Sequence, residues 1–408
     1  MNSYKEIRSA YDILLNVYRD GAYLNIAMKD VTNKRVAKLV YGVLDYHYEL
    51  NYILNQLAVK GIKNNVRPLA LIALYSVIKL QTPENVVINE TKDVLEEIGK
   101  SALTNFFTAI IKKAVQKQYE YPKKSDKNYI EVKYNLPSWL VGMYKKDYPE
   151  TFEEIINVGE TPFVHIRLNK NCTEEEIKKI APDAKKTLTG FFVRNSREIG
   201  LFNTLGKITF MSYGSTLIAE SIHANSGMEI LDTCAAPGGK AIYMAQKGAA
   251  VIACDIHEHR VDLIRAYADR MHVGVTVYKQ DATIFLKKWE ERFDVVLIDA
   301  PCSGFGVTGK KKDVIFNKTY DDVLALAELQ REILDNACKY VKKGGLLVYS
   351  TCTVFNKENA ENVNWFLSQH PEFKREKIDL PYDNDGSIQF LPDGKGMEGF
   401  FVCHMRKA

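Results

Sequence analysis

The sequence predicts a multidomain chain that starts all-α, passes through a small α+β segment and ends in an α/β domain on a doubly wound parallel sheet. Three observations lead there. Up to Pro122 apolar residues recur at helical spacing, and no run alternates as a strand does. Residues 130–225 mix short alternating strands with a capped helix. From residue 228 onward, short apolar strands alternate with helical stretches. The boundaries drawn from these changes are 1–125, 130–225 and 226–408. A chain of 408 residues is long enough for them, since domains run to about 100–200 residues.

In the first third, Ile7, Tyr11, Leu14, Leu15 and Tyr18 share one helical face. The stretch Pro68–Leu80 is apolar on nearly every side, which predicts a buried central helix with proline in its first turn. Val86 to Ile98 and Leu103 to Val115 read as further helices, and the polar segment Tyr121–Asn128 as a linker. Beyond it, Phe163–Leu168 and Phe191–Val193 read as strands, with Thr173 capping a charged helix from Glu174 to Ile180. The strands of the last domain are expected at Glu229–Leu231, Ala250–Cys254, Val275–Tyr278, Val295–Ile298 and Leu346–Tyr349.

Composition excludes several classes. No run of about 18 apolar residues is present, so no membrane span is expected. The first residues lack the apolar stretch of a signal peptide. Seven cysteines, none at C-x-x-C spacing, argue against zinc and against a secreted disulfide framework. Reduced thiols in the cytoplasm fit better, and nothing suggests more than a monomer. Residues 1–135 carry 20 Lys/Arg against 14 Asp/Glu, while the whole chain is only +4. That local excess suits a polyanionic partner and equally suits a solvated helical surface.

Ligands of such sheets bind at the carboxyl ends of the strands, and each predicted strand here ends in a polar or glycine-rich group. The first ends in Cys234, Ala235, Ala236, Pro237, Gly238, Gly239 and Lys240. A glycine turn before a helix lets backbone approach an anion. The spacing is not that of a dinucleotide site, and the carboxylate of S-adenosylmethionine suits it. A purely structural turn accounts for this feature alone equally well. Asp255 closes the second strand, where an acid can hold ribose hydroxyls, and Asp281 follows the third, in reach of an adenine amino group. Each acid alone reads equally as a helix cap, but successive strands each closing in such a group are much less expected by accident.

The fourth strand ends in Asp299, Ala300, Pro301 and Cys302, the fifth in Ser350, Thr351 and Cys352. In the usual strand order these two are neighbours, so both thiols face one cleft. A thiol suits a particular chemistry. C5 of cytosine is a poor nucleophile until a thiolate adds to C6, after which C5 can attack a methylsulfonium. A second group must then take the C5 proton, and an acid near N3 steadies the charge on the ring.

The segments D-T-C-A-A-P-G-G-K, D-A-P-C-S-G-F-G-V and S-T-C-T resemble the Nop2/Sun family of RNA 5-methylcytosine methyltransferases. The stretches P-L-A-L-I-A-L-Y and V-V-I-N-E-T-K-D-V-L-E-E-I-G-K resemble the NusB-like RNA-binding domain. The resemblance implies a class I S-adenosylmethionine-dependent fold behind an RNA-binding helical domain, with 16S ribosomal RNA as partner. It implies Cys352 as nucleophile and Cys302 as the group needed for product release. Cys234 to Lys240, Asp255, Asp281 and Asp299 match the family's cofactor contacts, and Arg260 its arginine after the ribose-binding acid. Gly399–Val402 matches its last strand. Three places depart from the pattern. Ala241 follows Lys240 where Thr or Ser is usual, Met211 and Ser212 stand where a Gln-Asp pair is usual, and Gly309–Asp313 is atypical. The lysines of that last stretch suit RNA phosphate or a solvated loop.

Two other functions stay open at this point. One is the same chemistry on transfer RNA, which the NusB-like domain disfavours. The other is a non-catalytic RNA-binding assembly factor, which would have no reason to keep Cys352, Asp299 and the glycine turn together.

Overall fold

The computed structural model describes residues 3–20, 24–158, 161–309 and 312–408. Of the atypical stretch, Lys310 and Lys311 lie outside the described residues. The chain divides into two compact units, Met1–Glu150 with Thr308–Lys318, and Thr151–Val307 with Thr319–Ala408.

The first unit contains helices α1 (Ser3–Asp20), α2 (Leu24–Ala27), α3 (Lys34–Asp45), α4 (His47–Leu57), α5 (Arg67–Ile78), α6 (Glu84–Glu97), α7 (Thr104–Val115), α8 (Tyr129–Tyr134) and α9 (Ser138–Asp147). As its uniform apolarity requires, α5 is the central helix, buried from Pro68 through Ser76. Around it pack Ile7 and Leu14 of α1, Leu39 and Val43 of α3, and Phe107 of α7. Arg35 on α3 ties the bundle by donating to Glu6 on α1 and Glu90 on α6, each at 2.9 Å. The expected boundary at residue 125 falls too early, because α8 and α9 carry this unit to Glu150.

The second unit opens with α10 (Phe152–Ile156), β1 (Phe163–Leu168), α11 (Glu174–Ile180), β2 (Lys185–Lys186), β3 (Phe191–Arg194), α12 (Arg197–Thr204), β4 (Ile208–Phe210) and α13 (Tyr213–Ser221). Its strands form an antiparallel sheet in the order β2-β3-β1-β4. Thr173 caps α11 in a reciprocal box with Glu176. This segment does not stand apart as its own unit. Arg167 of β1 lies over the Tyr243 ring at 5.1 Å, and Asn169 and Thr209 both reach the Met271 sulfur of the larger sheet's layer.

The larger sheet comprises β5 (Glu229–Asp232), α14 (Gly239–Gln246), β6 (Ala250–Asp255), α15 (Glu258–Arg270), β7 (Thr276–Lys279), β8 (Phe293–Asp299), α16 (Tyr320–Ala337), β9 (Val341–Thr351), α17 (Ala360–Gln369), β10 (Phe373–Arg375), β11 (Ser387–Phe390) and β12 (Phe400–Lys407). The strand order is β7-β6-β5-β8-β9-β12, with β10 and β11 both on the outer edge of β12. Strands β5 to β9 are parallel, as expected. The expectation of a wholly parallel sheet needs correction, since β12 runs antiparallel to β9. It follows β11 as the second arm of an antiparallel pair, so no crossover is needed to reverse it. Along β8, Val295 and Leu297 enter one apolar layer while Val296 and Ile298 enter the other. Both faces are therefore covered, which explains the continuous apolar strands. No helix among the described residues is long and apolar enough to cross a membrane.

Candidate active site

Strand order reverses between β5 and β8, so their carboxyl ends border the crevice where ligands bind such sheets. The turn Cys234–Lys240 leaves β5 there and enters α14 at Gly239. The Ala235 N–H donates to Cys254 O at 2.8 Å and the Gly238 N–H to Ala235 O at 2.7 Å, which fixes the loop. Gly238 takes φ +107°, and a Cβ on it would meet Ile242 and Ile264 at 3.3 Å. Only glycine fits that position without strain.

Lys240 is buried and donates to Asp299 Oδ2 at 2.6 Å, while Ser350 donates to Asp299 Oδ1 at 2.9 Å. Asp299 thus joins the ends of β8 and β9 to the start of α14. Asp255, buried at the end of β6, lies 3.4 Å from Arg260, which also donates to Ala236 O at 3.0 Å. Arg260 therefore braces the glycine turn against the second-strand acid. Asp281 is half-buried, and its Oδ1 accepts from the Thr283 N–H at 2.9 Å and hydroxyl at 2.7 Å, closing the turn after β7. Met211 packs against the same site, with its sulfur 3.7 Å from where a Gly239 Cβ would stand.

The two cysteines come together. β8 and β9 pair in register from Ile298 opposite Tyr349 to Asp299 opposite Ser350. Cys302 and Cys352 follow these ends, with their sulfurs 3.2 Å apart and the Cys352 N–H 3.2 Å from Cys302 Sγ. The hydrogen bond with Cys352, reinforced by burial, pushes the Cys302 thiol well above the usual range. Burial likewise raises the Cys234 thiol, so it is no nucleophile at neutral pH.

Sequence reasoning quoted Asp232 and Ser350 within their motifs but gave neither a role in the site. Ser350 could have been found, because it stands two residues before Cys352 and so on the same strand face. Asp232 is fully buried at the end of β5, and among the described residues neither carboxyl oxygen has a hydrogen-bond partner beyond a loose approach from the Cys234 amide. Burial, with repulsion from Asp299, pushes its carboxyl up to about 8. A buried polar group without partners calls for one. S-adenosylmethionine meets that need with a cationic ammonium and sulfonium, while the glycine turn leaves backbone room for its carboxylate. The residues present therefore fit this cofactor.

A glycine turn, strand-end acids and this strand order together define an S-adenosylmethionine-dependent methyltransferase. Residues 220–406 match the family model described as 16S rRNA methyltransferase RsmB/F, and residues 5–116 match the NusB family. The chain is 32% identical to the probable ribosomal RNA small subunit methyltransferase B of Bacillus subtilis, over 98% of each. It is 27% identical to the ribosomal RNA small subunit methyltransferase B of Photorhabdus laumondii, over 94% of this chain and 92% of that one. In fold it is similar to the crystal structure of PH0851, with a TM-score of 0.85 at 23% identity, covering 100% of this chain and 99% of that one. The chain belongs to the ribosomal RNA small subunit methyltransferase B family, and is an S-adenosylmethionine-dependent ribosomal RNA methyltransferase.

Proposed function

We propose that this enzyme methylates C5 of a cytosine in 16S ribosomal RNA through a covalent bond between Cys352 and C6 of the base. The observation that carries the reading is the pair of thiols 3.2 Å apart, set at adjacent strand ends beside Asp299. Burial and the contact with Cys352 oppose ionisation of Cys302, which suits Cys302 to the role of proton carrier and Cys352 to that of nucleophile. Its sulfur adds to C6, and electron density moves onto C5 and N3. Asp299, held by Lys240 and Ser350, faces N3, and a proton shared between its carboxyl group and N3 steadies that charge. S-adenosylmethionine supplies the electrophilic methyl group that C5 takes up. The Cys234–Lys240 turn, Asp255, Arg260 and Asp281 hold this donor in place.

C5 then carries both a methyl group and a hydrogen. Cys302 gives its proton to the departing Cys352 sulfur and takes the proton from C5. The C5–C6 double bond re-forms, the C6–S bond breaks, and both thiols end protonated, so atoms and charge balance. The base must leave its stack to reach the thiol. The basic helical unit docks the surrounding RNA through its backbone and shape.

Bisulfite sequencing of RNA from a strain lacking the gene tests the substrate. The expected result is loss of one 5-methylcytosine from 16S ribosomal RNA. Loss from transfer RNA alone would assign the same chemistry to the other substrate.

A further inference from the structure

Two fully buried residues of the turn before α17, Glu358 and Asn359, grip both cysteine segments at once. Glu358 accepts from the Ser303 N–H at 2.8 Å, from the Ser303 hydroxyl, and from Gln330 Nε2 at 3.1 Å. Gln330 also donates to Pro301 O at 2.8 Å, so both neighbours of Cys302 are held. The adjacent Asn359 does the same for Cys352. It accepts from the Thr351 hydroxyl at 2.6 Å and donates to Thr353 O at 3.1 Å. The Ser303 hydroxyl lies 2.9 Å from Thr353 Oγ1, closing the link between the two segments. Glu358 is wholly buried, and no cation is among its hydrogen-bond or ion-pair partners in the described residues.

Burial pushes the Glu358 carboxyl above its usual range, and the hydrogen bonds from Ser303 and Gln330 work against that to keep it charged, so a carboxylate here is costly. A neutral network would pin the loops more cheaply, so the acid needs a further reason. The Cys302 thiol supplies one. A negative charge across Ser303 opposes ionisation of Cys302 and makes it the stronger base once it has given up its proton.

From this geometry we infer that Glu358 is a positioning residue for the release step. Through Ser303 and Gln330 it fixes Cys302 against Cys352, with a carboxylate beside the proton that Cys302 must pass. The inference rests on the two-cysteine reading above and adds a third residue to it.

The test uses the full-length enzyme, S-adenosylmethionine and its ribosomal RNA, with Glu358→Gln, Ser303→Ala and Cys302→Ala in parallel. Glu358→Gln keeps the shape and removes the charge. The expected result is turnover lowered at least tenfold, unchanged cofactor affinity, and RNA left bonded to the protein on a denaturing gel. Breakdown of that adduct should also change its pH dependence. Ser303→Ala, too small a change to unfold the domain, should trap RNA more weakly. If Cys302→Ala traps RNA while Glu358→Gln and Ser303→Ala release it at the wild-type rate and pH dependence, this inference is overturned and the two-cysteine reading stands. Activity lost only in proportion to folded protein, with no adduct, overturns it in the same way. If Cys302→Ala itself traps nothing, both fall together.

Discussion

Asp232→Asn should make the cofactor-free enzyme more stable at high pH and less able to bind S-adenosylmethionine. In the folded chain burial pushes this carboxyl up to about 8, against an ordinary value of 3.8. A group whose folded value is raised binds its proton more tightly in the fold. Its contribution to stability is therefore full below about pH 4 and is lost as pH rises through about 8. At about 1.4 kcal/mol per pH unit the whole span sets an upper bound of roughly 5–6 kcal/mol. Relaxation around Asp299 and Lys240 reduces this, and about 2–5 kcal/mol is expected. Asparagine carries no such penalty, so the variant should equal the wild type only below about pH 4, lead it slightly at pH 5 and lead it most at pH 9. For a domain of this size the gap corresponds to about 5–15 °C in melting temperature. Thermal melts of both proteins at pH 5, 7 and 9 without cofactor measure it directly. Calorimetry should show that the wild type releases a proton when the cationic cofactor arrives near pH 7, and that the variant does not. Parallel stability curves across that range would refute the reasoning, because Asp232 would then be ionised and satisfied in the fold.

Other substitutions probe separate parts of the account. Gly238→Val forces a side chain onto φ +107° and against Ile242 and Ile264; S-adenosylmethionine affinity by calorimetry should fall about 10–100-fold, and unchanged affinity in a folded variant would place the cofactor elsewhere. Gly306 donates to Cys352 O at 3.0 Å, and a Cβ on it would stand 2.0 Å from Gly399 O. Gly306→Ala should therefore displace the backbone beside Cys352 and lower kcat at least tenfold, with cofactor Kd unchanged in the same calorimetry. In the helical unit, Glu90→Ala removes the two hydrogen bonds that Arg35 donates to its carboxylate; the stability of that unit should drop by about 1–3 kcal/mol, while cofactor affinity stays as it was.

The sequence makes some of this architecture legible and hides the rest for physical reasons. The central α5 can be read because a helix buried on all sides must be apolar on all sides. The parallel strands can be read for the matching reason, since both faces of β8 enter apolar layers. The pairing of Cys302 with Cys352 also follows from strand order, because neighbouring parallel strands end at one edge. By contrast, α8 and α9 hide in a segment rich in lysine, asparagine and proline, whose apolar face is too short to show a period. The reversal of β12 is a matter of connection, and an apolar strand reads alike in either direction. Asp232 looks like any strand-end acid, for isolation from hydrogen-bond donors is a property of the folded surroundings. Glu358 is hidden most deeply, with partners at Ser303 and Gln330 far back in the chain.

The central claim is the division of labour between the two thiols, and trapping RNA on the protein tests it most directly. The enzyme, Cys302→Ala, Cys352→Ala and the double variant are each incubated with S-adenosylmethionine and 16S ribosomal RNA, then run on a denaturing gel without added thiol. The account predicts a shifted band for Cys302→Ala alone, bonded through Cys352 and carrying the new methyl group. Cys352→Ala and the double variant should show none, because no sulfur remains to add to C6. A shifted band with Cys352→Ala would contradict the account by exchanging the two roles, and full activity in both single variants would remove the thiols from the chemistry altogether.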